Sequence, residues 1–419
     1  MLRVFVPILM LPLAMTAGSL PVSKPEDAGV SSERLQRIHE MVMRHVEAHD
    51  ISGAVTIVAR RGRVVHHEAH GLMDIEAGKP MTTDALFRLA STSKPVTAAA
   101  ILILLEEGKL KLTDPVSRFI PEFKNSQVAF EYKRPAPPMT DRPAPAAPFY
   151  TVPANREIAI IDLLTHTSGL GSGGAGEQEY QKVVKSRKPE DTLADFIPRL
   201  GPLALDFQPG SAWRYSPLAG FDTLGRIVEI ASGIPFDRFL RERLFQPLDM
   251  PDTGFSVPDK DGGRKAVIYR RTAAGLEKFT SSAIGGPNYF SGAGGLTSTA
   301  SDFYKFAQML CNGGIYNGKR ILSPWTVDLM LSNQVGDLFG GQAGRPPQGV
   351  GFGLGGEVVT STVDARLRKP VGSFGWDGAF GTYWWINRKE QLVVIFFIQT
   401  PGRSLQYDVD NAVSQAVVE

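Results

Sequence analysis

The chain has 419 residues, 43% of them hydrophobic and 21% charged, with a formal net charge of +2. That length suits two domains or one large composite one, and the apolar content is ordinary for a globular protein. No long lysine or arginine block gives a nucleic-acid footprint, and the single Cys311 excludes an internal disulfide or a cysteine-based metal cluster.

In chain order, Arg3, the apolar run Val4 to Ala14, and then Ala17, Gly18 and Ser19 have the layout of a secretory signal over residues 1–22. The run is too short to span a bilayer and is broken by Pro7 and Pro12, so no stable membrane insertion is expected. Cleavage would place the protein in the periplasm or outside the cell. An uncleaved segment packed on the body of the protein would leave it in the cytoplasm. Ser31 or Ser32 then caps a helix with Leu35, Ile38, Val42 and Val46 on one face. Gly53 to Arg60 reads as a strand, Arg61-Gly62 as a turn and Arg63 to Ala69 as the second arm of a hairpin. On that arm His66, Glu68 and His70, beside His67, would share one face and could in principle hold a metal. Exposed hairpin polarity explains them more simply, and no metal is expected.

Val96 to Leu105 is apolar almost all round, which predicts a buried helix ending near Gly108. Helix and loop dominate from there to about residue 260. Pro135, Pro137, Pro138, Pro143, Pro145, Pro148 and Pro153 forbid regular helix or central strand over residues 131–156. That stretch is expected as a surface loop or as a wall of a cleft. Helices are expected at Ile158 to Leu164, Phe221 to Ala231, Phe236 to Phe245 and Ser301 to Leu310. Strands are expected at Lys265 to Arg271, Glu357 to Thr360, Tyr383 to Asn387 and Gln391 to Ile398. This order predicts an α/β chain of the α+β kind. Residues 23–95 and 265–419 would supply an antiparallel sheet flanked by helices, with a mostly helical domain inserted over 96–264.

The chemistry concentrates in three segments. In Ser91-Thr92-Ser93-Lys94 the serine and lysine stack on one helical face, and Pro95 suits a first helical turn. A lysine at the head of a buried helix loses solvation, which favours the neutral amine that a general base must be. A neutral amine beside a hydroxyl is a base beside a nucleophile. The same four letters also occur by chance, as a capping serine with an exposed lysine. Trp213-Arg214-Tyr215-Ser216-Pro217 puts a tyrosine on a loop, where a phenol can relay protons or simply pack. Gly375-Trp376-Asp377-Gly378-Ala379 lets a strand backbone approach a bound acyl group, or is a plain glycine-rich turn. No Gly-x-Ser-x-Gly elbow exists, which argues against an α/β-hydrolase. His166 reads as part of a helix-ending turn. Gly351, Gly353 and Gly356 form a false dinucleotide fingerprint, because a strand rather than a helix follows.

Together and in this order these segments resemble the serine β-lactamase and penicillin-binding-protein superfamily, which carries Ser-x-x-Lys, then Tyr-x-Asn or Ser-x-Asn, then Lys-Thr-Gly. The likeness is closest to the class C β-lactamase-like carboxylesterases, the eighth family of bacterial lipolytic enzymes. Those place Trp-x-Gly where lactamases have Lys-Thr-Gly, as Trp376-Asp377-Gly378 does here. Leu163 to Leu170, Phe207 to Gly210 and Gly294 to Asp302 look like the same superfamily, so the likeness spans roughly residues 25–415. The resemblance implies a β-lactamase/transpeptidase-like fold with Ser91 as nucleophile, Lys94 as its base and Tyr215 as proton shuttle. It implies an oxyanion hole from the backbone N–H groups of Ser91 and Ala379, with Trp376, Asp377 and Gly378 beside the substrate. It implies no metal or organic cofactor.

Two departures set the expected substrate. Pro217 stands where lactamases usually have an asparagine, and Trp376 removes the lysine that would meet a lactam carboxylate. The expectation is therefore a serine carboxylesterase for small-molecule esters with short acyl chains, retaining weak β-lactamase activity. The alternatives are a class C-type β-lactamase or D-amino-acid peptidase, and a catalytically idle binding protein of the penicillin-binding type.

Overall fold

Eight strands form one sheet: β1 (Gly53–Arg60), β2 (Arg63–Asp74), β3 (Lys79–Pro80), β4 (Val350–Phe352), β5 (Glu357–Val359), β6 (Phe374–Asp377), β7 (Tyr383–Asn387) and β8 (Leu392–Phe397). Their order is β4-β5-β6-β7-β8-β1-β2-β3, and every neighbouring pair is antiparallel. The two ends of the chain meet at β1 and β8, in a register running from Val55 opposite Phe397 to Arg60 opposite Leu392. This is a computed structural model, and it describes residues 20–132, 149–257, 263–280, 285–339, 348–402 and 405–419. The expected signal segment lies outside the described residues up to residue 19, as does the proline-rich stretch over 133–148.

Six of the described helices pack on this sheet or frame the cleft: α1 (Ser32–Glu47), α2 (Lys94–Glu106), α3 (Ile160–Leu164), α4 (Ala219–Ser232), α5 (Ala300–Cys311) and α6 (Gln406–Ser414). Strand β1 is buried at every position because both of its faces are covered. Val55, Ile57 and Ala59 point into a large core shared with α2, α4 and α5. Ala54 and Val58 point the other way, into a second core closed by α1 and α6. Helix α1 begins as its sequence dictates, with Ser31 Oγ accepting from the Arg34 N–H, and it buries Leu35, Ile38, Met41 and Val42. Helix α2 is buried along nearly its whole length. No helix among the described residues is long and apolar enough to cross a membrane.

Between α2 and β4 the described chain adds no strand to this sheet. The expected strand at Lys265 to Arg271 is corrected: the strand is Tyr269–Thr272, and it pairs with Gly275–Lys278 in a separate hairpin. Register there is set by the Ala273-Ala274 turn rather than by the preceding apolar run. Within the proline-rich stretch, Phe149–Pro153 pairs with Gln127–Glu131 as a two-stranded ribbon. Proline is tolerated there because a ribbon has open edges, whereas a central strand needs every N–H.

Candidate active site

Ala90–Ser93 is a single 3-10 turn running directly into α2. Side chains three apart eclipse in such a turn. Ser91 and Lys94 are stacked as a result, with Lys94 Nζ 3.1 Å from Ser91 Oγ. Just before them Ala90 has φ +47°, in the left-handed region that costs an L-residue about 1–2 kcal/mol. Packing against Ile268 and Phe380 holds it there.

Lys94 is fully buried, and its Nζ donates to two backbone carbonyls, Pro217 O and Ala293 O, each at 2.8 Å. Carbonyl oxygens can only accept. With Ser91 Oγ they are the three oxygen partners of Nζ among the described residues, so once the two carbonyls hold two N–H groups the third direction, toward the Ser91 hydroxyl, is the one along which a proton can be exchanged. The rings of Tyr215 and Phe221 flank Nζ at 5.1 and 5.7 Å. The backbone at Ala293 is fixed in turn by Asp222 on α4. That buried carboxyl accepts from Tyr289 Oη (2.8 Å), Ser291 Oγ (2.6 Å) and the Ala293 N–H (3.0 Å). Burial pushes the Asp222 pKa up, opposed by these hydrogen bonds and by the charge of Lys94.

Tyr215 Oη donates to Ser91 Oγ at 2.7 Å. Its loop is braced by His166, which follows α3 with φ +58° and so forms a helix-ending turn. The His166 ring lies 4.6 Å from the Tyr215 ring, and its Nδ1 accepts from the Ser216 N–H at 3.2 Å.

The facing wall begins at the end of β6. A Cβ on Gly378 would lie 2.2 Å from both Leu89 O and Thr382 Oγ1, so only glycine lets this backbone press against the Ser91 turn. Thr382 Oγ1 fastens the two together, donating to Leu89 O at 2.9 Å and lying 3.0 Å from Thr92 Oγ1. Trp376 is buried, its ring 5.7 Å from Tyr215 and 5.2 Å from Phe352. Ser91, Tyr215, Trp376, Asp377, Gly378 and Ala379 all line one open cleft of about 340 Å³, and Lys94 lies beneath Ser91.

Some residues of this site escaped the sequence reading. Gln406, at the start of α6, lines the cleft and donates to Asp377 Oδ2 at 2.6 Å. Asp222 left a signal, as a lone acid on the otherwise apolar face of its helix. Gln406 left none.

The expectation of exposed hairpin polarity is corrected at His66 and His70. Both are buried on the outer face of β2, with Thr56 Oγ1 2.7 Å from His66 Nε2 and 3.1 Å from His70 Nε2. The cause is α1, which packs over that face of the hairpin. Burial pushes their pKa values down, His66 to about 3 and His70 to about 4.

The sequence profile of the Beta-lactamase family matches residues 38–417. Protein Rv1367c of Mycobacterium tuberculosis is 37% identical over 364 residues, covering 83% of this chain and 86% of its own. Esterase EstB of Burkholderia gladioli is 32% identical over 433 residues, covering 96% and 99%. Among solved structures, EstCE1, "a hydrolase with promiscuous acyltransferase activity", matches with a TM-score of 0.76 at 27% identity, covering 92% and 99%.

Proposed function

Starting from a chain that belongs to the Beta-lactamase family and has the β-lactamase/transpeptidase fold, we propose that this serine hydrolase is a carboxylesterase for esters with short acyl chains. The observation that carries the reading is the convergence of Lys94 Nζ (3.1 Å) and Tyr215 Oη (2.7 Å) on Ser91 Oγ at the wall of an open cleft. Ser91 Oγ attacks the ester carbonyl carbon while its proton passes to the Lys94 lone pair. The oxyanion that forms faces the backbone N–H groups of Ser91 and Ala379. The C–O bond to the alcohol then breaks, and Tyr215 hands the leaving oxygen its proton from the Lys94 side. Water clears the acyl group from Ser91 by the same path in reverse.

Esters are favoured over β-lactams by what stands at the two recognition positions. Pro217 contributes its backbone carbonyl to Lys94 and has no side-chain donor or acceptor. Trp376 offers an indole where an acidic substrate would need an ammonium. The name of EstB and the hydrolase title of EstCE1 support the same reading. We also propose export, on the signal-like layout of Arg3 to Ser19.

A panel of nitrophenyl esters run beside a cephalosporin and a D-alanyl peptide tests the proposal. Short-chain esters are expected to be turned over fastest, with an acyl adduct on Ser91 in the intact-protein mass. A better rate on the cephalosporin or the peptide would overturn the ester assignment. No adduct and no turnover on any substrate would leave the idle binding protein.

A further inference from the structure

The outer face of β2 carries a second set of polar side chains, which the ester chemistry does not use. Glu68 and His70 are two residues apart on the strand and share a face. Helix α1 crosses that face and brings His39 to them. One ligating atom from each of the three residues lies within 4.8 Å of the others. His39 Nδ1 stands 3.4 Å from Glu68 Oε2, and His70 Nε2 stands 3.8 Å from the same oxygen. His66 Nδ1 is 3.7 Å from the other carboxylate oxygen.

These separations are informative. A hydrogen-bonded imidazole and carboxylate approach to about 2.7–3.2 Å, and none of the three does. Ligands held about 2.0–2.1 Å from a tetrahedral zinc ion stand roughly 3.3–3.4 Å from one another. The His39–Glu68 pair has that spacing and the His70–Glu68 pair is a few tenths of an ångström wider, so both are too long for closed hydrogen bonds and within a small shift of ligands around one ion. His70 is the buried member of the set. Its side chain is fully buried, its Nδ1 has no hydrogen-bond partner, and its Nε2 shares Thr56 Oγ1 with His66. The hydroxyl can donate to one imidazole and accept from the other, so the His70 Nε2 lone pair is turned toward Glu68 only in the tautomer protonated at Nδ1. An open cavity of about 550 Å³, lined by His39, His66 and Glu68, gives an ion and its water a way in.

We propose that His39, Glu68 and His70 form a divalent transition-metal site of the zinc type, with water as the fourth ligand, that clamps α1 onto β2. Two imidazoles and one carboxylate suit zinc better than magnesium or calcium, which take all-oxygen shells. The site lies on the α1 side of the sheet, whereas Ser91 heads α2 on the other side. The ion therefore stabilises the fold and takes no part in acyl transfer.

The test uses the full chain, dialysed against a chelator and then titrated with Zn²⁺ by calorimetry, with thermal unfolding in parallel. One Zn²⁺ per chain is expected, at about micromolar Kd or tighter, with a rise in Tm that grows with free Zn²⁺. His39→Ala and Glu68→Gln change side chains 56% and 46% exposed, so the metal-free variants should unfold near the wild-type temperature. Each should bind Zn²⁺ at least about tenfold more weakly and lose the Tm rise. Co²⁺ bound to the wild type should show the strong visible absorption of a tetrahedral site, and His39→Ala should abolish it. No stoichiometric binding to the wild type, or binding that both substitutions leave intact, would overturn the site. Loss of ester turnover on chelation would overturn the clamp role.

Discussion

The two walls of the cleft are built on opposite terms. On one, Ser91, Lys94 and Tyr215 meet through polar atoms, and each is backed by another polar group. Backbone carbonyls hold Lys94, Asp222 holds the Ala293 N–H, and His166 holds the Tyr215 loop. On the other, Trp376 is embedded in an apolar cluster with Trp213, Phe339 and Phe352. Proton transfer needs atoms placed to a few tenths of an ångström, and hydrogen-bond chains supply that. An apolar wall selects by shape and by what it declines to pair. On the proposed function, the contrast teaches that reaction and recognition would sit on separate residues, so that one could be damaged without the other.

The largest expected effect removes the proposed nucleophile. Ser91→Ala should lower ester turnover by about four orders of magnitude or more and abolish mass labelling by a phosphonate. Labelling that persists on Ser168 or Ser172 in that variant would move the chemistry elsewhere. Lys94→Ala and Tyr215→Phe should each cut kcat by about a hundredfold or more, and the double variant should lose little beyond the worse single one. Near-normal rates in Tyr215→Phe would reduce the tyrosine to a packing residue.

The apolar wall is probed by choice of substrate. Each charge-assisted hydrogen bond a lactam would miss at Pro217 and Trp376 costs about 1.5–3 kcal/mol of transition-state binding. A short-chain nitrophenyl ester should therefore exceed a reactive cephalosporin in kcat/KM by at least about a hundredfold. Equal values for the two would dissolve the contrast between the walls. A smaller loss, about tenfold in kcat with little change in KM, is expected for Asp222→Asn, because Asp222 holds the Ala293 N–H and so the backbone whose carbonyl meets Lys94. A change confined to KM would show that Asp222 does not position Lys94.

How much of this could be read from the sequence depended on how local each cause was. The buried helix after Ser91 was legible because Val96 to Leu105 is apolar all round. The hairpin of Gly53 to Arg60 with Arg63 to Ala69 was legible because both arms show strand character across a two-residue turn, though the second arm runs on to Asp74. Ser91 and Lys94 were legible from their spacing, and Tyr215 and Trp376 only through motif order. Strands β3 and β4, of two and three residues, are too short to carry a period. The burial of His66 and His70 was hidden because alternating polar residues look the same whether water or a helix lies over them. Asp222 and Gln406 join the site through contacts more than 25 residues away in sequence, which no window along the chain can show.

The smallest effect on turnover is expected behind the apolar wall, from a buried acid that never meets substrate. Asp410 on α6 accepts from Tyr383 Oη (3.0 Å) and Trp385 Nε1 (2.9 Å), and Lys369 Nζ lies 3.9 Å away, nearer to Glu357 at 3.2 Å. Burial pushes the Asp410 carboxyl up to about 6, against the pull of Lys369 and the two hydrogen bonds. Burial alone would lower Lys369, yet the charges of Glu357 and Asp410 hold it above its ordinary value. Between about pH 4 and pH 6 the native state thus keeps a proton on Asp410 that the unfolded chain has released. Its contribution to stability is full below about pH 4 and is lost as the pH rises through about 6. Asp410→Asn has the same shape and cannot ionise. Denaturant unfolding should show wild-type stability falling relative to this variant by on the order of 1–3 kcal/mol from pH 4 to pH 7, while kcat on a short-chain ester changes less than about twofold. A difference that stays flat across that window would mean Asp410 is ionised in the native state throughout, with Lys369 as its true partner.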